Sequence, residues 1–351
     1  MSELDAHGGW STTLSTLING GDLSPAVAGA VLSEILSGAA TPSQISAVLI
    51  ALRCKGETAD ELSAMLDVVL AHAQRVRLDA ELAEQAVDIV GTGGDGSHSI
   101  NISTMAALVA AGAGIPVCKH GNRAASSACG TADVLEALGV RIDLGPAGVE
   151  ACVREVGFGF CMAQVFHPAF RFAGPPRREI GVPTAFNLLG PMANPAGVGR
   201  LVIGVADPSR AELVLSTLAA RHTPRAWVVH GGGLDELTTR GPSVVHALSH
   251  GEVQTFSVDP SSLGLAIPSA ADLVGGDQNH NAEVVRSVVG GAQGAHRDIV
   301  LLNAAAAIVL ADRASDLAEG LVVAAESIDS GAAAGVLERL ILTSNREDKG
   351  E

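Results

Sequence analysis

The chain has 351 residues, enough to bury a substantial core in one large or two ordinary domains. Apolar residues make up 47% and charged residues 17%, a globular composition that excludes a disordered chain. A formal charge of −16 disfavours nucleic acid and anionic membranes as partners, and it repels a phosphorylated ligand too unless local bases or a metal ion offset it.

The N-terminus, Met1-Ser2-Glu3-Leu4-Asp5, is acidic and lacks a signal-peptide core. Residues 10 to 75 read as helices only. Ser24-Pro25 places an N-cap before a proline at the first helical position, and Thr41-Pro42-Ser43-Gln44 repeats the device with a capping box. Thr58-Ala59-Asp60-Glu61 is a second capping box, followed by an apolar face of Leu62, Met65, Leu66 and Val69. A compact helical unit is expected before the first strand.

From Val87 the pattern alternates strand and helix. Val87 to Val90, Ile115 to Cys118, Arg141 to Asp143, Phe158 to Met162, Leu201 to Ala206 and Ala226 to His230 read as strands, with a helix over Pro208 to Arg221. Val244 to Val258, broken at His250-Gly251, reads as a hairpin, and 281–290 and most of 296–342 as helices. The fold class expected is therefore α/β: a small all-helical domain plus a larger α/β domain with a mostly parallel central sheet flanked by helices. Residues 166–200 interrupt the alternation with six prolines (168, 175, 176, 183, 191 and 195), and so long a connection is usually functional. The longest apolar run, near Ile299 to Ala311, is broken by Asn303 and too short to span a membrane. Five cysteines (54, 118, 129, 152 and 161) without a C-x-x-C pair read as reduced, buried small hydrophobes of a cytoplasmic protein.

Two loops carry the chemistry. The first strand breaks into Gly91-Thr92-Gly93-Gly94-Asp95-Gly96, which leads through Ser97 to Thr104 into an Ala-rich helix. The second strand breaks into Lys119-His120-Gly121-Asn122-Arg123-Ala124-Ala125-Ser126-Ser127-Ala128-Cys129-Gly130, and Thr131 opens the next helix. Each loop aims at a helix N-terminus, where unpaired N–H groups and a positive partial charge suit phosphates. The first also fits G-x-G-x-x-G, but the next strand ends in Lys119 where a dinucleotide site wants an acid, and no Gly-Lys-Ser/Thr makes a P-loop. A single such loop would read as a tight turn; two paired loops bearing Lys119 and Arg123 favour anion binding.

Asp235 and Glu236 follow the strand that ends at His230 through Gly231-Gly232-Gly233. They read either as a solvated turn or as ligands of a Mg²⁺ ion lying against a polyphosphate. Arg177 and Arg178 read as a solvated basic pair. A structural role is the commoner fate of His120 and His167; His120, between Lys119 and Asn122, ranks first for function.

These residues resemble a known family. Gly91-Thr92-Gly93-Gly94-Asp95, Asn101-Ile102-Ser103-Thr104 and Lys119-His120-Gly121-Asn122-Arg123 are similar to the signature of the anthranilate phosphoribosyltransferases. The resemblance continues through Gln44 to Thr58, Arg177-Arg178-Glu179, Asn187-Leu188-Leu189-Gly190-Pro191 with Asn194-Pro195, and Leu234-Asp235-Glu236-Leu237, covering nearly the whole chain. It implies transfer of a phosphoribosyl group from 5-phosphoribosyl 1-diphosphate to anthranilate, with Mg²⁺, in tryptophan biosynthesis. It also implies a homodimer, a helical domain of 1–85 joined by part of 176–199, and an α/β domain of 86–175 and 200–351, with the site at the hinge.

By the same resemblance the donor would be held by Gly91, Gly94, Asp95, Ser99, Asn101, Ile102, Ser103, Thr104, Lys119, His120, Gly121, Asn122, Arg123, Ala124, Ala125, Ser126, Ser127 and Thr131. Anthranilate would contact Gly91, Asn122, His167 and Arg177; Ser103, Asp235 and Glu236 would hold the metal. No residue is assigned as catalytic beyond His120 as a candidate. Phe170 stands where many relatives carry a tyrosine. The rivals are a nucleoside phosphorylase of the same fold and a silent relative that binds nucleic acid; the Asn122-Arg123 loop, the acid pair and the net charge disfavour them.

Overall fold

The computed structural model describes residues 2–124 and 128–346. Between Glu3 and Ala71 the chain forms five helices whose starts follow from local chemistry. The Ser24 hydroxyl accepts from the Val27 N–H, and Thr41 with Gln44 and Thr58 with Glu61 close reciprocal capping boxes. Glu61 does more than cap: it is fully buried, accepts the Leu23 N–H at 2.8 Å and pairs with Lys55 at 3.0 Å.

A seven-stranded sheet follows: β1 (Val87–Gly91), β2 (Val117–Gly121), β3 (Phe158–Met162), β4 (Arg200–Gly204), β5 (Arg225–Gly231), β6 (Ser243–Ser249) and β7 (Glu252–Val258). Its order is β3-β2-β1-β4-β5-β6-β7; the first five strands are parallel and the last two form an antiparallel hairpin. Arg141 to Asp143, expected as a strand, is not one. The Arg141 N–H donates to Ser344 Oγ and its guanidinium to Asp143, so the segment is a connection tied to the end of the last helix, with Ile142 buried in the core. Three residues with one apolar member, Ile142, have no ladder to join.

Period-2 alternation divides the sheet between two cores. Val87, Ile89, Val117, Phe158, Phe160, Val202, Trp227 and Val229 pack with the helices Ile102–Gly112 and Ala295–Leu310. Cys118, Cys161, Leu201, Ile203, Ala226 and Val228 pack with the N-terminal helices and the helix Ala211–Ala220. The proline-rich connection forms short helices, Gly174–Ile180 and Ala185–Met192, which lie against the helices Pro42–Lys55 and Ala59–Ala71. Among the described residues no single helix is long and apolar enough to cross a membrane.

From β1 the chain moves to β2 on one side, while β4 lies on the other. The connections after β1 and β4 diverge there, leaving a crevice at the carboxyl ends of the strands.

Candidate active site

The crevice is built on close approach. Gly91 and Gly204 are paired at the ends of β1 and β4. The turn after β5 folds back over both, so that a Cβ on Gly91 would sit 2.2 Å from Asp235 Oδ2 and one on Gly204 1.6 Å from the Asp235 carbonyl. Glycine is needed at both places for room. At Gly93 and Gly94 it is needed for conformation, with φ of +68° and +81°. The loop so formed turns the Gly93 N–H onto Asp235 Oδ2 at 2.7 Å.

On the face of the helix Ile102–Gly112, Lys119 reaches from β2 into a set of acids. It is 1% exposed; its Nζ donates to the Ile89 carbonyl and lies 3.2 Å from Ser103 Oγ. The Ser103 N–H donates to Glu236. Burial pushes the Asp235 carboxyl up to about 7, and the neighbouring charge of Asp95 adds to the rise. Burial and then Asp235 hold Glu236 well above the usual carboxylate range. Burial lowers Lys119, against the pull of Asp88, Glu236 and Asp235. Three acids thus face one lysine, and all three hold their protons more tightly than usual.

That environment suits a divalent cation, whose charge would reverse the rise. Among the described residues no three His, Cys, Asp or Glu side chains gather into a metal cage. Magnesium needs none, since it takes one or two carboxylates and fills its octahedron with water and substrate phosphate. Asp235 and Glu236, with the Ser103 hydroxyl opposite, fit that donor set.

Alternation sends His120 to the other face. Its Nδ1 lies 3.1 Å from the Gly190 carbonyl, and His167 Nε2 lies 2.9 Å from that of Ala193. A carbonyl only accepts, so each of those nitrogens carries the hydrogen. His120 Nε2 and His167 Nδ1 are then lone pairs, buried and without a partner among the described residues. Burial lowers His120 to about 3, with His167 adding to the drop, and lowers His167 to about 4; both rings are neutral at pH 7. The rings meet edge to face at 5.0 Å, His167 stacks on Phe170 at 5.1 Å, and Phe170 meets Phe186 at 5.3 Å. Arg177 closes the series, its Cζ 5.0 Å above Phe186. Its guanidinium reaches only Asn187 Oδ1, at 3.5 Å, and burial lowers its pKa. It is half-buried and without a carboxylate partner among the described residues, and a guanidinium fork of this kind has the geometry to receive a planar anion. Arg178 is exposed.

Other expected residues are placed differently. Arg123 pairs with Glu136 at 2.8 Å and Asp133 at 2.9 Å, which raise its pKa further. Asp133 also accepts the Ala124 and Gly130 N–H groups, so the arginine builds the loop. Asn122 is exposed and its carbonyl accepts the Ala132 N–H. Ile102 and Thr104 are buried, the latter with its hydroxyl 3.5 Å from that of Thr131, and the Ile102 N–H donates to the Ile100 carbonyl. Asp95 accepts from the Ser97 N–H and hydroxyl, and Ser99 bridges to Val274. Gly121 packs under Thr131 and Phe160. Ala125, Ser126 and Ser127 lie outside the described residues.

Two residues escaped the sequence reading. Asp88, fully buried, accepts the His120 N–H at 3.2 Å and Asn194 Nδ2 at 2.8 Å; burial lifts it to about 6 despite Lys119. An acid inside an apolar strand was its visible signal. Asn281 bonds to Asn101 at 2.8 Å from a distant helix, and nothing local announced it.

The sequence matches the glycosyl transferase family's a/b domain over residues 83–334 and its helical bundle domain over 11–73. It is 48% identical to an anthranilate phosphoribosyltransferase of Beijerinckia indica, over 96% of this chain and 97% of that one. The fold superposes on the crystal structure of the anthranilate phosphoribosyltransferase from Thermus thermophilus with a TM-score of 0.89 at 39% identity, covering 95% and 99% of the two chains. It superposes on the enzyme from Saccharomyces cerevisiae in complex with PRPP and Mg with a TM-score of 0.83 at 28% identity, covering 92% and 93%.

Proposed function

The chain belongs to the anthranilate phosphoribosyltransferase family, and on that premise we propose how its own residues divide the work. It transfers the 5-phosphoribosyl group of 5-phosphoribosyl 1-diphosphate to the amine of anthranilate and releases diphosphate, the second step from chorismate to tryptophan. The observation that carries the residue assignment is the division across β2. Lys119, Asp235 and Glu236 lie on one face; Arg177, without a carboxylate partner among the described residues, lies beside neutral histidines on the other.

We assign the donor to the first face. The amides of the Gly91–Gly96 loop and of the helix starting at Ile102 receive phosphate oxygens, and Lys119 faces the diphosphate. Asp235, Glu236 and Ser103 would hold Mg²⁺, which supplies positive charge to the departing diphosphate. Arg177 takes the anthranilate carboxylate, with Asn122, Gly91 and His167 around the ring. The C1–oxygen bond to diphosphate breaks as the amine nitrogen forms a bond to C1 from the opposite side, and the nitrogen then sheds a proton. An aromatic amine is barely basic, so orientation by Arg177 and Asn122 carries the step without a strong base. His120 is neutral, with a free lone pair, so it can accept a hydrogen but has none to give on that nitrogen.

We infer further that residues 1–85 with part of 176–199 move against the rest, that the protein is a cytoplasmic homodimer, and that its metal is Mg²⁺. Sedimentation and cell fractionation test the second point. The function itself is tested by anthranilate fluorescence: loss of signal is expected with the donor and Mg²⁺ and not with thymidine and phosphate. No turnover at any donor or metal concentration contradicts it.

A further inference from the structure

The chain after β7 returns across the glycine-rich loop as a strap. The Ile100 N–H donates to the Leu273 carbonyl at 3.1 Å and the Gly275 N–H to the His98 carbonyl at 2.8 Å. Beyond the strap a polar relay runs inward. The Gly276 N–H donates to Asn281 Oδ1 at 2.8 Å, Asn281 Nδ2 to Asn101 Oδ1 at 2.8 Å, and Asn101 Nδ2 to the Cys129 carbonyl at 3.2 Å. Both ends are backbone groups of fixed polarity, an N–H and a carbonyl. Neither amide can be reversed without setting donor against donor, so the orientation of each is determined. Asn281 is 2% exposed, where a lost partner is costly.

Asn101 occupies the N-cap of the helix Ile102–Gly112, a position where asparagine ordinarily accepts a hydrogen bond from its own first turn. Here it makes no such bond, because Asn281 holds its oxygen. We propose that Asn281 is a positioning residue for the phosphoribosyl donor: it keeps Asn101 off the Thr104 amide, which is left for a phosphate oxygen while the Ile102 N–H donates to the Ile100 carbonyl and the Ser103 N–H to Glu236. The same relay sets the spacing between the glycine-rich loop and the loop that ends at Gly130, since Asn101 bridges them. This rests on the donor site assigned above. A freed Asn101 would swing onto the Thr104 amide and compete with the donor for it.

Two variants test this. Asn281→Ala removes the link; Asn281→Asp keeps the size and the acceptor for Gly276 but cannot donate to Asn101. Each is assayed for KM and kcat, and for donor Kd by calorimetry with Mg²⁺, alongside its Tm. The expected result is a donor KM and Kd raised about tenfold, the worth of one such hydrogen bond. The anthranilate KM and the kcat at saturating donor stay within about twofold, since neither depends on how readily the donor displaces a cap. A merely structural asparagine lowers Tm and spares the donor Kd in whichever variant folds, and that result overturns the proposal. So do equal losses toward both substrates. Failure of the unaltered protein to bind the donor at all would reject the donor site itself, a result the variants cannot produce.

Discussion

At the residue scale, the site is a problem of uncompensated charge. Arg177 is a half-buried guanidinium with no carboxylate partner among the described residues, and Arg178 beside it is solvated. Arg177→Ala is expected to raise the anthranilate KM about tenfold to a hundredfold, the worth of a charged hydrogen bond of roughly 1.5–3 kcal/mol, with the donor KM little changed. Arg178→Ala should leave both near normal; steady-state kinetics with a larger effect from Arg178 would reverse the choice. The acids make a second prediction, about pH. Asp235 binds its proton more tightly folded, at about 7, than at its ordinary 3.8. Between those values the folded state carries the extra proton, so stability from this group is present at low pH and falls as pH rises through that window. Melting in the apo state should therefore show a decline that Asp235→Asn flattens, and added Mg²⁺ should stabilise more at pH 8 than at pH 5. A Mg²⁺ effect independent of pH would contradict the placement.

At the element scale, what was legible was what is local. The starts of the helices at Pro25, Pro42 and Ala59 follow from caps three residues long, and the strands from alternating apolar residues. Arg141 to Asp143 was misread because alternation over three residues cannot reveal the lack of a neighbour. Arg123 carried the right charge for an anion site, yet its partners Asp133 and Glu136 became its neighbours only when the next helix formed. The relay from Asn281 to Asn101 spans 180 positions and leaves no periodic trace. Gly204 illustrates the same limit: it looks like an ordinary strand end, but the turn carrying Asp235 rests on its missing side chain. Gly204→Ala should displace that turn. We expect a stability loss of about 1–3 kcal/mol, typical of overpacking, with a much greater loss of Mg²⁺-dependent turnover. Calorimetric melting and the fluorescence assay read the two separately, and normal turnover would show that the turn tolerates the shift.

At the scale of the whole molecule, a protein of net charge −16 takes a polyanion as its donor. On the proposed assignment, amides and one buried lysine offset that repulsion at the crevice where the chain departs from β1 and β4 in opposite directions. The acids there would deepen the repulsion unless a cation joined them. The central claim is thus that Asp235 and Glu236 are a magnesium site and not a solvated turn, and calorimetric titration of the donor with and without Mg²⁺ tests it most directly. In Asp235→Asn with Glu236→Gln, donor affinity should fall and lose its dependence on Mg²⁺, while the apo fold is unharmed or slightly steadier for losing two adjacent charges. A double variant that keeps the affinity, the metal dependence and the turnover of the unaltered protein would contradict it.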